Sequence, residues 1–256
     1  MEPFFFGDSK YPMYGVYHPP EVSNNKHESV LLCPSFGQEY MRSHRALRQL
    51  TLLLNRKGYH VMRFDYHGTG DSGGEMEDMT AQQWVEDVQL ALSELVDMTE
   101  IDKVNVMGLR LGSLIAAQAC QSSMPVERLI LWDPIISGTD YINEITLELE
   151  NTDKPLSNYK DTDGTIHFNG FPLGKKFQDG LVEYSLCEFY PSNAKNVLQI
   201  VSYESSKFET LKNSWKGRDG FEYKYTPAPS EWNTVDRFGG ILLPQPIIQG
   251  IVNYLP

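Results

Sequence analysis

Apolar positions along this chain follow two alternating rhythms, a short run of adjacent hydrophobic residues and then a longer amphipathic stretch. SVLLCPSFG, from Ser29, ends in a Pro/Gly turn and predicts a buried strand. In SHRALRQLTLLLNRKG, residues Leu47, Leu50, Leu53 and Leu54 keep helical spacing, and Gly58 closes the segment. YHVMRFDYHG predicts the next strand and GTGDSGG a glycine loop, while TAQQWVEDVQLALSELV predicts a helix with Trp84, Val88, Leu92 and Leu95 on one face. KVNVMGLRLG and ERLILWDPIISG predict further strands, with the helix GSLIAAQAC between them. NVLQIVSYES and FEYKYTPAP predict two more strands, LPQPIIQGIVNYLP a closing helix, and FFFG with MYGVYHPP a small antiparallel pair at the front.

Strands alternating with helices at this spacing specify a parallel sheet built from right-handed crossovers, in which ligands bind outside the carboxyl ends of the strands. Four loops fall there: Cys33 to Glu39, Asp65 to Gly74, Gly108 to Gly112 and Trp132 to Gly138. From about Thr139 to Tyr190 the rhythm lapses, apart from a hairpin around Phe168 to Phe171. Roughly fifty residues exceed an ordinary connection, so the division expected is a core of residues 1–138 and 191–256 with residues 139–190 inserted as a cap. A cap carrying Tyr141, Phe168, Phe171, Phe177 and Tyr184 needs its own small core, and those rings suit either that core or an apolar pocket.

A chain of 256 residues is long enough to bury a substantial core without staples. No run of about 18 apolar residues occurs, so no membrane span is expected. MEPFFFGDSKYP has no basic segment ahead of an apolar run, which leads to the expectation of a cytoplasmic protein. A net charge of −12 argues against nucleic acid and anionic lipid surfaces as partners, since both rely on clustered Lys and Arg. Cys33, Cys120 and Cys187 lack ligand spacing and read as free thiols; no metal and no cofactor is expected.

The candidate chemistry centres on VNVMGLRLGSLIAAQA, Val104 to Ala119. Its Gly-x-x-x-Gly spacing is that of the strand-to-helix elbow GxSxG, which holds a serine hydroxyl at the apex. Here the apex is Arg110, whose guanidinium stays protonated and cannot attack a carbonyl.

The order CPSFG, FDYHGTGDSGG, GLRLGS, LWDP, insertion, last two strands resembles the α/β-hydrolase fold, and most of all its serine-aminopeptidase branch. CPSFGQEYMRSHR, GLRLG and LILWDPIISGTDYINE are similar to hydrolase-like proteins encoded beside exosortase systems. The resemblance spans about Phe4 to Gly138 and is loose beyond. It implies a serine at the elbow, an acid after a later strand and a histidine after the last one. This sequence departs at both ends: Arg110 holds the apex, and TPAPSEWNTVDRFGG, where the histidine belongs, contains none. All six histidines precede the last two strands, and only His67 falls at the ligand edge. The acid has two candidates, Asp133 and Glu204.

Substitute nucleophiles are poor. Ser113 belongs inside the helix, where its hydroxyl suits a backbone carbonyl, and Cys33 reads as a small buried apolar residue. Ser35 has no nameable base. The anion-binding half of the machinery persists in sequence: the Leu111 amide at the helix start faces the Phe36 or Gly37 amide, and Arg110 adds a fixed charge that suits a carboxylate, phosphate or sulfate.

Two readings of Arg110 stand open. Glu39 or Asp133 pairs with it as a structural pin, since a buried charge needs a partner, or it clamps a ligand. Three functions follow. The first is a protein that binds or transforms a small anionic or acyl molecule without a serine nucleophile, with Ser35, Phe36, Gly37, His67, Arg110 and Leu111 around the ligand. The resemblance implies a bacterial biosynthetic setting for it. The second is an enzyme in which Arg110 polarises a carbonyl and Asp133, Glu39 or Glu204 handles the proton. The third is an interaction protein that docks a partner through its cap.

Overall fold

The computed structural model describes residues 1–21, 25–121, 124–150, 158–233 and 242–256. Eight strands form one sheet in the order β1 (Glu2–Phe6), β2 (Met13–His18), β4 (His60–Phe64), β3 (Ser29–Cys33), β5 (Val104–Leu109), β6 (Val126–Trp132), β10 (Ala194–Val201) and β11 (Phe221–Tyr225). From β4 to β11 every pairing is parallel. The front pair β1–β2 is antiparallel, and β2 joins β4 antiparallel, so these strands extend the main sheet.

Side chains of the parallel strands alternate between two cores. Leu31, Cys33, Val104, Val106, Leu129 and Leu131 face the layer of α2 (Ala81–Thr99) and α3 (Leu111–Ala119). Val30, Leu32, Met107, Leu109, Ile130 and Trp132 face α1 (Gly37–Arg56) and α7 (Gln245–Tyr254). A further helix, α6 (Ser206–Trp215), follows β10. With both faces covered, the central strands read as near-continuous apolar runs.

Helix α1 starts at Gly37, well ahead of the Ser43 read from the leucine spacing. Gly37 has φ +58°, and a Cβ there would lie 3.2 Å from the Phe171 ring, so the glycine that looks like a loop marker opens a helix. Glu39 therefore sits in a helical first turn, where the axis dipole favours a carboxylate.

Between β6 and β10 run α4 (Gly138–Glu150), a three-stranded sheet of β7 (Tyr159–Lys160), β8 (Ile166–Phe168) and β9 (Phe171–Leu173), and α5 (Lys175–Leu181). The β8–β9 turn is Asn169–Gly170 with φ of +52° and +85°, the doubly left-handed pair of a tight hairpin. Phe177 meets Trp84 at 4.6 Å between ring centroids and Phe171 meets Phe36 at 6.2 Å, which seats this segment over the starts of α1 and α2. Among the described residues, no helix is long and apolar enough to cross a membrane.

Candidate functional site

The turn from β5 into α3 is built by two glycines and one strained residue. A Cβ on Gly108 would run into the Gly112 carbonyl, and one on Gly112 would land on the carbonyls of Pro34 and Cys33. Only hydrogen fits at either position, which brings the elbow against the end of β3. Arg110 at the apex has φ +52° and ψ −119°, a conformation that costs a residue with a Cβ on the order of 1 to 3 kcal/mol. Its backbone is fastened on both sides: its N–H donates to Trp132 O at 3.0 Å, and its carbonyl accepts from the Ser113 and Ile135 amides.

The guanidinium is buried, its side chain only 6% exposed. Nε donates to Glu39 Oε1 at 2.9 Å, Nη1 to Tyr203 Oη at 3.4 Å, and Nη2 to Glu144 Oε1 at 3.4 Å. Glu39 is 1% exposed and its other oxygen accepts the Ser35 hydroxyl. Glu144, on α4, is 43% exposed and also accepts from Asn233 Nδ2 at 3.4 Å. Burial lowers the arginine's pKa, and Glu39, Tyr203 and Glu144 together more than reverse it, so Arg110 is held protonated.

Of the two carboxylates expected near Arg110, Glu39 pairs with it and Asp133 does not bond it. Asp133 is fully buried, with φ +43°, and accepts from the Ser202 amide at 2.6 Å, the Ser202 hydroxyl at 2.5 Å and Trp232 Nε1 at 3.0 Å. Burial raises its pKa, with the Ser202 and Trp232 hydrogen bonds opposing. The indole comes from the loop after β11, and its ring stands edge-on to Trp132 at 5.6 Å. Residues 234–241 of that loop lie outside the described residues.

The other candidates scatter. Glu204 is exposed, and no described bond ties it to Arg110. Ser113 donates to Gly108 O at 2.6 Å from a fully buried position. Cys33 is buried, and burial raises its thiol pKa well above the usual value. Phe36 caps and Gly37 opens α1, the helix whose Glu39 bonds Arg110, and Leu111 opens α3. His67 does not join them: Nδ1 lies 2.6 Å from Asp87 Oδ1 and Nε2 2.8 Å from Tyr11 O. Both partners are acceptors, an arrangement that favours the protonated ring, and the Asp87 hydrogen bond raises the His67 pKa. Asp65 holds the same loop, accepting Tyr40 Oη at 2.9 Å and the Asp71 amide at 3.1 Å.

Glu144, Tyr203, Ser202, Trp232 and Asn233 were not legible as site residues. The free space beside Arg110, bounded by Ile135, Ile136, Tyr141, Tyr203, Lys207 and Phe208, amounts to about 40 Å3. That is on the order of one water, at ~30 Å3 each in the liquid.

The chain has matches among known proteins. The sequence model of the serine aminopeptidase S33 family matches residues 24–161, more than half the chain. The chain belongs to this family. No curated protein matches it. Est1E from Butyrivibrio proteoclasticus shares the fold with a TM-score of 0.67 at 14% identity, covering 99% of this chain and 97% of its own. The α/β hydrolase GrgF from Penicillium sp. sh18 gives 0.66 at 15%, covering 99% and 95%. Mouse α/β hydrolase domain-containing protein 10 gives 0.61 at 14%, covering 100% and 97%. At these identities the likeness establishes an α/β-hydrolase fold, and nothing about chemistry is carried over from it.

Within this family frame the local chemistry is restricted. Arg110 supplies charge and three donor nitrogens but no nucleophile, Asp133 among the described residues meets Ser202 and Trp232, and Glu39 already serves a guanidinium and a hydroxyl.

Proposed function

We propose that this chain is a hydrolase-fold protein that does not perform serine hydrolysis, its nucleophile position having become a buried ion pair that fixes a cap, residues 139–190, onto the core. The observation that carries this is the Arg110–Glu39 pair at 2.9 Å, sealed at the apex and extended to the cap through Glu144. A serine nucleophile needs a base that accepts its proton and room for an acyl group; here an indole meets the acid and about 40 Å3 is open.

Treatment with a fluorophosphonate probe, read by intact mass and peptide mapping, tests the proposal. No adduct is expected. An adduct on Ser35 that disappears in Ser35→Ala would overturn it, because the Ser35 hydroxyl already donates to the Glu39 carboxylate.

A second reading is favoured by Glu144, half exposed and held by two contacts of 3.4 Å. On this reading a small carboxylate-bearing or acyl ligand replaces Glu144 on Arg110, with Lys207 and Ser205 at the rim, in a bacterial biosynthetic setting of the kind the exosortase resemblance implies. A thermal-shift series with acetate and propionate separates the two. Stabilisation that grows in Glu144→Ala and vanishes in Arg110→Met supports the clamp; no shift in any form leaves the pin.

A further inference from the structure

A second arginine sits far less conventionally than Arg110. Arg63 lies in the middle of a row across the sheet, paired in register with Val16 of β2 on one side and Leu32 of β3 on the other. It is a cation between two aliphatic residues on the face that α1 covers. Its Nε is buried without a hydrogen-bond partner, and among the described residues it forms no ion pair, Asp65 and Tyr40 acting on it only at longer range. Asp65, which shares the cleft with Arg63, has one oxygen committed to the Tyr40 hydroxyl and one to the Asp71 amide.

An arginine with no ion pair that lines a void leaves room there for an anionic partner on its guanidinium. The void is present. Between β2 and α1 a cleft of about 220 Å3 is lined by Arg63 together with Tyr14, Tyr40, His44 and Leu47 and the carboxylates of Asp65 and Asp71. It is over five times the space at Arg110 and equals roughly seven waters at ~30 Å3 each.

We propose that the Arg63 cleft is a binding site for a small organic carboxylate, its anionic group on the Arg63 guanidinium and its apolar body against Val16, Leu32 and Leu47. A planar carboxylate matches the guanidinium fork, and the aliphatic walls favour a carbon body over a bare inorganic ion. Asp71 at the exposed rim limits entry to ligands with one acidic end. The site shares no lining residue with the Arg110 space and does not depend on how Arg110 is read.

Titration of the 15N-labelled protein with sodium benzoate, followed by amide chemical shifts, tests it. Saturable shifts are expected at Val16, Leu47 and Arg63, with at least a tenfold weaker Kd in Arg63→Gln and a smaller loss in Arg63→Lys. Should Arg63→Gln not fold, Val16→Phe fills the cleft while leaving the arginine and should abolish the same shifts. Shifts confined to Ile135, Tyr203 and Phe208, or unchanged in both variants, would overturn the assignment. Inorganic phosphate displacing benzoate at equal concentration would overturn the organic-acid part, since a site that reads charge alone has no use for its aliphatic walls.

Discussion

Replacing Glu39 by glutamine keeps the shape of the side chain and removes its charge from a position 1% exposed, leaving the Arg110 guanidinium buried with only outer partners. Breaking one side of a buried pair costs about 3 to 5 kcal/mol. At about 2 to 4 °C per kcal/mol for a domain of this size, Glu39→Gln lowers Tm by roughly 6 to 20 °C. Glu144→Gln is the internal control. Its 3.4 Å contact is 43% exposed on the acid side, and such pairs are worth about 0 to 1 kcal/mol, so its Tm falls by less than about 4 °C. Arg110→Met measured alone and together with Glu39→Gln completes a cycle, in which the double variant is more stable than the two losses summed. Scanning calorimetry or urea titration reads all of these. If Glu39→Gln is no worse than Glu144→Gln, or the cycle is additive, the pair does not hold the apex and the account of Arg110 as a pin is refuted.

Gly112→Ala forces a Cβ into the Pro34 and Cys33 carbonyls, and the expected outcome is loss of soluble folded protein, checked by yield and far-ultraviolet dichroism. Trp232→Phe keeps an aromatic ring against Trp132 but removes the donor to buried Asp133, with an expected destabilisation of about 1.5 to 3 kcal/mol by urea titration. His67 has its pKa raised, chiefly by the Asp87 hydrogen bond, so its contribution is complete below the unfolded value near 6.5 and is lost as pH rises through the folded value. The stability of the wild type should therefore fall over that interval relative to Asp87→Asn, and parallel pH profiles of the two would contradict it.

The periodicity of the chain carried most of the architecture. Strands with Val, Leu and Ile runs, the helix over Leu47 to Leu54 and the hairpin at Phe168 to Phe171 form from local pattern, because burial on both sheet faces and the Asn169–Gly170 turn leave direct marks in sequence. The start of α1 did not show, since Gly37 looks like a breaker and is tolerated by a contact with Phe171 some 130 residues away. The site was legible at its apex only. Arg110 stands out because a spacing demands another residue there, and Glu39 lies close in sequence to the loop that faces it. Glu144 is one of 34 acidic residues on an amphipathic helix, and Trp232 is an ordinary apolar residue until the fold sets its indole N–H on Asp133. Both depend on long-range placement, which no local pattern encodes.

The geometry of the elbow does not depend on the residue at its apex. The strain at Arg110 and the two obligatory glycines are often justified by a nucleophile that must stand clear of the sheet. Here no nucleophile stands there, yet Gly108 and Gly112 are as sterically required as ever, because the end of β3 and the start of α3 cross at that point. The turn is therefore a packing solution of the sheet, and whatever residue occupies its apex points into the space above the strands. An arginine so displayed brings a full charge into a buried place, and a partner is needed to offset its desolvation. Helix α1 supplies one from its first turn, at the end where the dipole already favours a carboxylate, and α4 supplies a second from the insertion. Apex, first turn and insertion thus form one electrostatic unit. A change at any of the three should be felt in the attachment of the insertion before it is felt in the sheet.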